Sequence, residues 1–263
     1  AQIDRYARHL VLPEVGEAGQ ARLLASRVLV VGAGGLGSPM LMYLAAAGVG
    51  RIGIIDDDRV DLSNLQRQVI HDTAGIGTAK VDSAAARMAA LNPDVHVDTH
   101  PRRLRAAGLL DLIAQYDVVA DGSDNFATRY LLNDACYLAR RPLVSAAIMR
   151  TDGQLATFRA FDRGPCYRCV FGPQPPEAKQ SCADVGVLAV LPGVLGTLQA
   201  TEVLKEILDL GDGLTGRLLL YDALGAQFRS IATQRDPACD LCGENPRITA
   251  LTDAAYGGAA CAA

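Results

Sequence analysis

The chain has 263 residues, of which 50% are hydrophobic, and it carries a formal net charge of −4 at pH 7. A chain of this length and apolar content can bury a sizeable core, so we expect a globular protein. The charges are scattered and aromatic residues are few, with no Trp, 8 Tyr and 5 Phe, which argues against nucleic acid as the main partner.

Two stretches without charge, residues 28–50 and 185–201, have to be weighed as membrane segments. Glycines and Pro39 interrupt the first stretch, and Pro192 and Gly193 interrupt the second, so neither is typical of a continuous lipid-facing helix. The first residues show neither the basic region nor the small-residue cleavage site of a signal peptide. The sequence therefore predicts a cytoplasmic protein without a membrane segment.

The composition changes along the chain and divides it into four regions. We expect a helical arm over residues 1–26, a nucleotide-binding half over 27–148, a second half over 149–242 and a flexible tail over 243–263. The tail is rich in Ala and Gly, and chain ends of this kind are often poorly ordered. The arm contains several arginines, among them Arg8. From their spacing alone, we interpret them as the solvated face of a helix.

The strongest local pattern is a strand, a glycine turn and a helix in direct succession. An apolar run over 28–31 predicts the strand, residues 36–47 predict the helix, and a second strand over 52–55 ends in Asp56. Glycine has no side chain, so a ligand can approach the backbone closely. The N-terminus of a helix binds phosphate, and an acid at the end of the second strand, here Asp56, binds the ribose hydroxyls. Tight packing alone also selects glycine, but the full order favours a nucleotide site. The candidate glycines of the turn are Gly32, Gly34 and Gly35.

A polar segment over residues 59–68 follows the second strand. Arg67 offers a bidentate fork to phosphate oxygens and Asn64 a neutral donor, although a plain surface loop explains the same composition. Lys80 begins the next helix, which runs to about Leu91. A cation is disfavoured at a helix start, so an anionic ligand would account for Lys80.

Strands and helices alternate through the rest of the first half. Strands are predicted over 95–99, 117–121 and 142–148, with helices over 106–115 and 127–138 between them. This alternation indicates an α/β fold with a Rossmann-like, doubly wound and mainly parallel sheet. Further strands over 154–161 and 217–231 continue the sheet in antiparallel fashion, and a helix over 194–208 lies between them.

Asp124 follows the predicted strand over 117–121, at the edge of the sheet where ligands bind. It is a candidate N-cap for the helix over 127–138, in which Arg129 is an ordinary helix residue. Asp124 is equally a candidate Mg²⁺ ligand beside a triphosphate, and the two roles are compatible.

The seven cysteines point to metal chemistry, because four of them form two CxxC pairs and the total is odd. Two such pairs suit tetrahedral Zn²⁺, and we favour a structural zinc that ties the C-terminal part to the body over two disulfides. The candidate ligands are Cys166, Cys169, Cys239 and Cys242.

Ten motifs in their order resemble the ThiF/MoeB/HesA family, the bacterial relatives of ubiquitin-activating E1 enzymes. They span residues 5–242 and read RYARH, GAGGLGSP, DDD, DLSNLQRQ, GTAK, DGSDN, CYRC, VGVLAVLPGVLGTLQATEVLK, LLLYDA and CDLC. The resemblance implies an adenylyltransferase that activates the C-terminal glycine of a ubiquitin-like sulfur carrier of the ThiS or MoaD type. The carrier's carboxylate attacks the α-phosphate of ATP, and a sulfur donor later converts the acyl-adenylate to a thiocarboxylate.

The resemblance also implies roles for single residues. Gly35 lies under the phosphates, Asp56 holds the ribose, Asp124 binds Mg²⁺, and the four cysteines of the CxxC pairs bind Zn²⁺. The implied nucleotide-binding set is Gly32, Gly34, Gly35, Asp56, Asp58, Ser63, Asn64, Arg67, Gln68, Lys80, Asp124 and Asn125. The residues expected to act in catalysis are Arg8, Arg67, Lys80, Asp124 and Cys182.

Four further expectations concern partners and the residues that meet them. Arg8 resembles an arginine that family members supply from the neighbouring subunit, which implies a homodimer. The segment before Cys182 resembles a crossover loop that clamps the carrier's tail, and Cys182 is either a nucleophile toward the carrier or a buried structural thiol. Because the sequence contains no rhodanese-like domain, we expect a separate sulfur donor acting in trans.

Two other functions compete with adenylation. A nicotinamide dehydrogenase would also have the glycine turn and Asp56. That function, however, gives no role to Arg67, Lys80 and Asp124. A catalytically inert E1-like scaffold would bind a ubiquitin-like partner only, whereas the charged positions of an active enzyme are all present here.

Overall fold

One eight-stranded sheet runs through the computed structural model, which describes residues 2–173 and 186–256. Its spatial order is β3-β2-β1-β4-β5-β6-β7-β8, in which the first five strands are parallel and the last three antiparallel. This confirms the predicted doubly wound sheet with an antiparallel continuation. The strands are β1 (Arg27–Val31), β2 (Arg51–Ile55), β3 (His96–His100), β4 (Val118–Asp121), β5 (Leu143–Met149), β6 (Asp152–Phe158), β7 (Arg217–Asp222) and β8 (Gln227–Ala232).

Helices cover both faces of the sheet. The helix predicted over 106–115 is shorter, because Gly108 adopts a positive φ of 71° directly before it. Of the helices described, none combines the length and the apolar character that crossing a membrane requires. The helices are α1 (Gln2–Arg5), α2 (Ala7–Leu10), α3 (Gly16–Ala25), α4 (Gly37–Ala47), α5 (Lys80–Leu91), α6 (Leu109–Ile113), α7 (Phe126–Leu138), α8 (Tyr167–Phe171) and α9 (Leu191–Leu208).

The side chains of β1 show how the sheet separates two cores. Val28 and Val30 point to the core shared with α4, α5 and α9, whereas Leu29 and Val31 point to the core shared with α6 and α7. Successive strand residues face opposite sides, so a strand buried on both faces is apolar throughout. The continuous apolar run seen in the sequence is therefore required by the position of β1 in the middle of the sheet.

The strand order places a crevice between β1 and β4. The chain leaves β1 toward β2 on one side of the sheet, and β4 continues the sheet on the other side. Loops that leave adjacent strands in opposite directions open a crevice at their carboxyl ends, where doubly wound proteins bind ligands. The glycine turn after β1 and the loop that carries Asp124 after β4 both lie at this crevice.

The C-terminal segment differs from the expected flexible tail over the part that the structure describes. The backbone N–H of Ala106 donates to Asp253 Oδ1 at 2.7 Å, and Tyr256 is buried with its hydroxyl donating to Asp134 Oδ2 at 2.8 Å. Residues 243–256 are thus attached to the first half, because a buried Tyr hydroxyl and an apolar ring compensate for the loss of chain entropy. Residues 257–263 lie outside the described part.

Candidate functional site

The glycine turn packs backbone against backbone at the end of β1. Gly32 has a φ of 95°, and a Cβ added there would lie 2.8 Å from the carbonyl oxygen of Gly122 in the loop after β4. A Cβ added to Gly37, at the start of α4, would lie 2.0 Å from the carbonyl oxygen of Gly32. These approaches leave no room for side chains, so the turn and the loop after β4 form one continuous surface.

The turn presents donors to whatever lies above it. Ser38 satisfies the carbonyl oxygen of Gly34 through both its backbone N–H and its hydroxyl, at 2.9 and 2.6 Å. Within the described residues, no group accepts a hydrogen bond from the backbone N–H of Gly34, Gly35 or Leu36. N–H groups at a helix start that lack an acceptor, together with the positive end of the helix dipole, form an anion site.

Asp56 lies at the end of β2 and is hydrogen-bonded to the turn. Its Oδ2 accepts from the backbone N–H of Ala33 at 2.8 Å, and its Oδ1 accepts from the backbone N–H of Asp58 at 2.9 Å. Burial raises the pKa of this carboxyl, an effect that nearby Lys80 partly offsets. Each carboxylate oxygen retains a second lone pair, so the group can still accept hydrogen bonds from hydroxyls.

Lys80 is held beside the turn by an acid of the same chain. Its side chain is only 6% exposed, and its Nζ lies 2.6 Å from Asp58 Oδ2. The backbone N–H of Lys80 also donates to the carbonyl oxygen of Asp58 at 3.0 Å. The anion expected from the position of Lys80 at the helix start is thus present within the protein, and the ion pair keeps the ammonium group close to Asp56.

Two side chains of the polar segment reach the turn. A Cβ added to Gly34 would lie 3.6 Å from Gln68 Nε2, and one added to Gly35 would lie 3.8 Å from Arg67 Cγ. Gln68 is buried, and its Oε1 has no partner among the described residues. A plain surface loop does not explain a buried amide whose oxygen lacks a partner, which instead suits the wall of a polar binding site.

Ser63 and Asn64 lie in a 3₁₀ helix, Leu62–Asn64, that Asp61 caps. Ser63 donates its hydroxyl to Asp61 Oδ1 at 2.5 Å, and its carbonyl oxygen accepts from Arg67 Nη1 at 3.1 Å. Asn64 Nδ2 lies 3.4 Å from the Ser63 hydroxyl. These contacts hold the segment in shape beside the turn, and they leave the other guanidinium nitrogens of Arg67 available.

The loop after β4 carries Asp124, but the helix cap is the next residue. The Oδ1 of Asn125 accepts from the backbone N–H of Thr128 at 2.9 Å, and α7 begins at Phe126. The expectation that Asp124 caps this helix is therefore wrong by one residue. Asp124 is exposed in the loop that follows the carboxyl end of β4.

Two residues that support this loop had no recognisable pattern in the sequence. Asp121 is completely buried at the end of β4, where its carboxylate accepts from the Ser123 hydroxyl at 2.6 Å and the Ser145 hydroxyl at 2.8 Å. Arg129 was expected to be an ordinary helix residue, yet it is buried and donates to the carbonyl oxygen of Ser123 at 2.7 Å. Both contacts hold Ser123, and so place the adjacent Asp124.

The four paired cysteines come together in a separate cluster. The Cys166 sulfur lies 3.7 Å from Cys169 and 3.6 Å from Cys239, and Cys169 lies 3.4 Å from Cys242. Zn–S bonds of about 2.3 Å in a tetrahedron give S···S distances of about 3.8 Å, so the four thiols fit a zinc ion. Hydrogen bonding with Cys166 lowers the pKa of Cys169 and of Cys239, whereas hydrogen bonding with Cys169 raises the pKa of Cys166.

A buried ion pair joins this cluster to the first half. Arg168, which lies between two of the cysteines, places Nη2 at 2.6 Å from Asp134 Oδ2 on α7. Arg168 also donates to the carbonyl oxygen of Pro173. The Tyr256 hydroxyl donates a further hydrogen bond to the Asp134 carboxylate. The cysteine cluster is thus linked to α7, the helix that begins beside the crevice between β1 and β4.

Two predicted residues remain, and one of them, Arg8, is not joined to the site in this chain. Arg8 lies exposed on α2 in the N-terminal arm, and among the described residues it has no hydrogen bond or ion pair. Cys182 lies outside the described residues. Neither expectation is tested, so both stay predictions.

The packing of the turn makes Gly37→Ala a sharp test of the site. The added methyl group would lie 2.0 Å from the Gly32 carbonyl oxygen, so the turn must move to accommodate it. We expect the dissociation constant for MgATP, measured by calorimetry, to rise at least about tenfold, which is the effect of losing one hydrogen bond to the ligand. Gly193→Ala is the matched control, because a Cβ there meets nothing within 4 Å. Equal binding by both variants would contradict the site.

Known proteins are similar to this chain in sequence and in fold. The family model described as the ThiF family matches residues 6–241. The sulfur carrier protein adenylyltransferase of Thermus thermophilus is 51% identical over 257 residues, which cover 96% of this chain and 95% of that protein. Adenylyltransferase and sulfurtransferase MOCS3 of Mus musculus is 54% identical over 254 residues, 96% of this chain and 55% of that protein, so the chain spans about half of it.

A solved structure has the same architecture. The crystal structure of Escherichia coli MccB with MccA-N7isoASN superposes with a TM-score of 0.80 at 22% identity, covering 93% of this chain and 75% of that one. This likeness supports the doubly wound fold. Because the family model spans most of the sequence and a relative above 50% identity covers nearly all of it, the chain belongs to the ThiF family, as its motifs predicted.

Proposed function

We propose that this protein adenylates the C-terminal glycine of a ubiquitin-like sulfur carrier protein and uses MgATP as its co-substrate. The observation that carries the proposal is the arrangement around the glycine turn. The Asp56 carboxylate accepts from the turn at Ala33, the Arg67 side chain approaches the turn at Gly35, and Lys80 is paired with Asp58, two residues after Asp56. Relatives that are about half identical over nearly the whole chain are named adenylyltransferases, and one of them is named for its sulfur carrier protein.

The chemistry requires two anions to meet. An oxygen of the carrier's terminal carboxylate attacks the α-phosphorus of ATP, the bond from phosphorus to the bridging oxygen breaks, and pyrophosphate leaves. Lys80 and Arg67 neutralise the phosphate charge, and the N–H groups after Ala33 hold the phosphates in place. Asp56 accepts hydrogen bonds from the ribose hydroxyls and so sets the position of the nucleotide along the crevice.

Asp124 and Asn125 are the residues that would hold Mg²⁺. An exposed carboxylate at the carboxyl end of β4 fits this ion, which takes one or two protein carboxylates and completes its shell with phosphate oxygens and water. When bound, Mg²⁺ supplies charge neutralisation at the phosphates. Asn125 already uses one oxygen lone pair as the helix cap, so Asp124 carries the larger share of this role.

Zinc in the cysteine cluster serves structure in this proposal. The four sulfurs belong to α8 with its preceding residue and to the segment after β8, so one ion would join two distant parts of the chain. The ion pair between Arg168 and Asp134 extends that connection to α7.

We extend the proposal to a homodimer in which Arg8 enters the nucleotide site of the neighbouring subunit. The exposed position of Arg8 on α2, without an ion pair to any described residue, supports a partner from another chain. A cytoplasmic location, a separate sulfur donor and a covalent role for Cys182 remain predictions from the sequence.

The test is exchange of labelled pyrophosphate into ATP, measured with and without each candidate carrier. We expect exchange that depends on the carrier and that disappears when the carrier's terminal glycine is deleted. Mass spectrometry of the carrier after incubation with MgATP should detect an added adenylate. A carrier that binds but supports no exchange would favour the inert scaffold, and tight binding of NADH without ATP binding would favour a dehydrogenase.

A further inference from the structure

A buried histidine lies directly behind the glycine turn. His71 is 7% exposed, and both nitrogens of its ring have partners: Nε2 lies 2.8 Å from the carbonyl oxygen of Ala33, and Nδ1 lies 2.9 Å from Ser83 Oγ. A carbonyl oxygen only accepts, so Nε2 carries the hydrogen and donates to Ala33. Burial lowers the pKa of His71, which favours a neutral ring whose Nδ1 accepts from the Ser83 hydroxyl.

These contacts hold Ala33 from both sides. Its N–H donates to Asp56 Oδ2 at 2.8 Å, and its carbonyl oxygen accepts from His71 at 2.8 Å. Two fixed peptide units define the direction of the chain as it enters the next residues, Gly34 and Gly35. The N–H groups of those residues have no acceptor in the described part of the chain.

His71 also joins the turn to the helix that carries Lys80. Ser83 lies three residues after Lys80 on α5, nearly one turn further along the same side of the helix. The bond from Ser83 to His71 and the bond from His71 to Ala33 therefore form one path between two phosphate-binding elements. A shift of the turn relative to α5 would break it.

We propose that His71 is a positioning residue that holds the glycine turn in the conformation that binds the triphosphate; this inference rests on the proposed function. The imidazole lies behind the turn, and it acts through the backbone of Ala33. Without it, the Ala33 carbonyl oxygen loses a buried donor, and the turn gains freedom that ATP binding must remove.

Two amide variants separate the two ring nitrogens. In His71→Gln the amide nitrogen reaches about as far as Nε2 and can still donate to Ala33. In His71→Asn the amide reaches only to the position of Nδ1, so the bond to Ser83 survives and the bond to Ala33 is lost. His96→Asn is the matched control, since His96 is exposed on β3 and pairs with Asp98.

The readouts are the dissociation constant for MgATP by calorimetry and the separate kcat and KM values of pyrophosphate exchange. For His71→Asn we expect a rise of about tenfold in the dissociation constant and in KM, the cost of one lost hydrogen bond, with kcat within about twofold. For His71→Gln and His96→Asn we expect changes below about threefold. A general loss of fold would instead lower the active fraction and leave KM unchanged.

The proposal is overturned if the His71→Asn variant binds MgATP as tightly as the unaltered protein does. If neither His71 variant folds, Ser83→Ala decides, because Ser83 is only partly buried. A dissociation constant raised at least about fivefold supports the proposal, and one raised by less than about threefold, as for the control, overturns it. If the unaltered protein binds no MgATP, the proposed function itself fails, so the two failures are distinguishable.

Discussion

Replacing Asp124 by alanine should abolish carrier-dependent exchange of pyrophosphate into ATP, with kcat falling by about 1000-fold. Asp124 is the exposed carboxylate at the carboxyl end of β4, and its loop packs against the glycine turn through Gly122. Removing it takes away the proposed Mg²⁺ ligand at the point where charge moves from phosphorus to pyrophosphate. The start of α7 does not depend on it, because Asn125 provides the cap.

Three controls make this result specific. Asp111→Ala removes an exposed carboxylate in the first turn of α6 and should leave exchange unchanged. Asp124→Asn keeps the shape but loses the charge, and we expect nearly the same defect as with alanine. Melting temperatures of all variants should stay close to that of the unaltered protein. If Asp124→Ala exchanges pyrophosphate at the normal rate, the assignment of Asp124 as the Mg²⁺ ligand is wrong.

Changing Cys169 and Cys242 together to serine should release the zinc and lower the melting temperature by about 10 °C. Structural zinc contributes on the order of 10 kcal/mol to small folded sites, and a net loss of about 4 kcal/mol corresponds to that shift in a chain of this size. Metal analysis of the unaltered protein should find about one zinc per chain, because four thiolates fill one tetrahedral site. The double variant should contain none.

The cysteine variant also tests which part of the chain the metal stabilises. We expect MgATP binding to change little, because the cluster is built from α8 and the segment after β8, away from the glycine turn. Limited proteolysis should become faster in the second half. Cys136→Ala is the control, since this thiol is buried in the core outside the cluster and the variant should retain zinc. An unaltered protein that is fully folded without metal would refute a structural zinc.

Local patterns predicted most of the fold. The strands around Val28–Val31 and Ile52–Ile55 and the helix from Lys80 are close to the observed elements, because a strand buried on both faces is apolar throughout and an amphipathic helix repeats every 3.6 residues. The predicted helix over 106–115 is shorter than expected, since the backbone at Gly108 is incompatible with an earlier start. Boundaries of this kind depend on single turns that composition does not reveal.

The site was predictable where its chemistry is local and unpredictable where it depends on distant contacts. The glycine turn and the acid after β2 are separated only by α4 and β2, so the order of elements predicted that they lie at the same end of the sheet. The bond from the Ala33 N–H to Asp56 was not predicted. Asp124 and Asn125 are adjacent and both are residue types that cap helices. Asn125 is the cap because α7 begins directly after it. Such a choice depends on the backbone path of the loop.

The sequence alone determined the doubly wound fold, the glycine turn and the pairing of the four cysteines, because each produces a hydrophobic period or a short spacing of residues. Only the tertiary structure decided that His71 supports the turn and that Arg129 and Asp121 support the loop after β4. It also decided that Tyr256 is buried against Asp134. The physical reason is that these roles arise from burial and from partners as many as 122 residues apart, and neither burial nor such pairing leaves a local pattern along the chain.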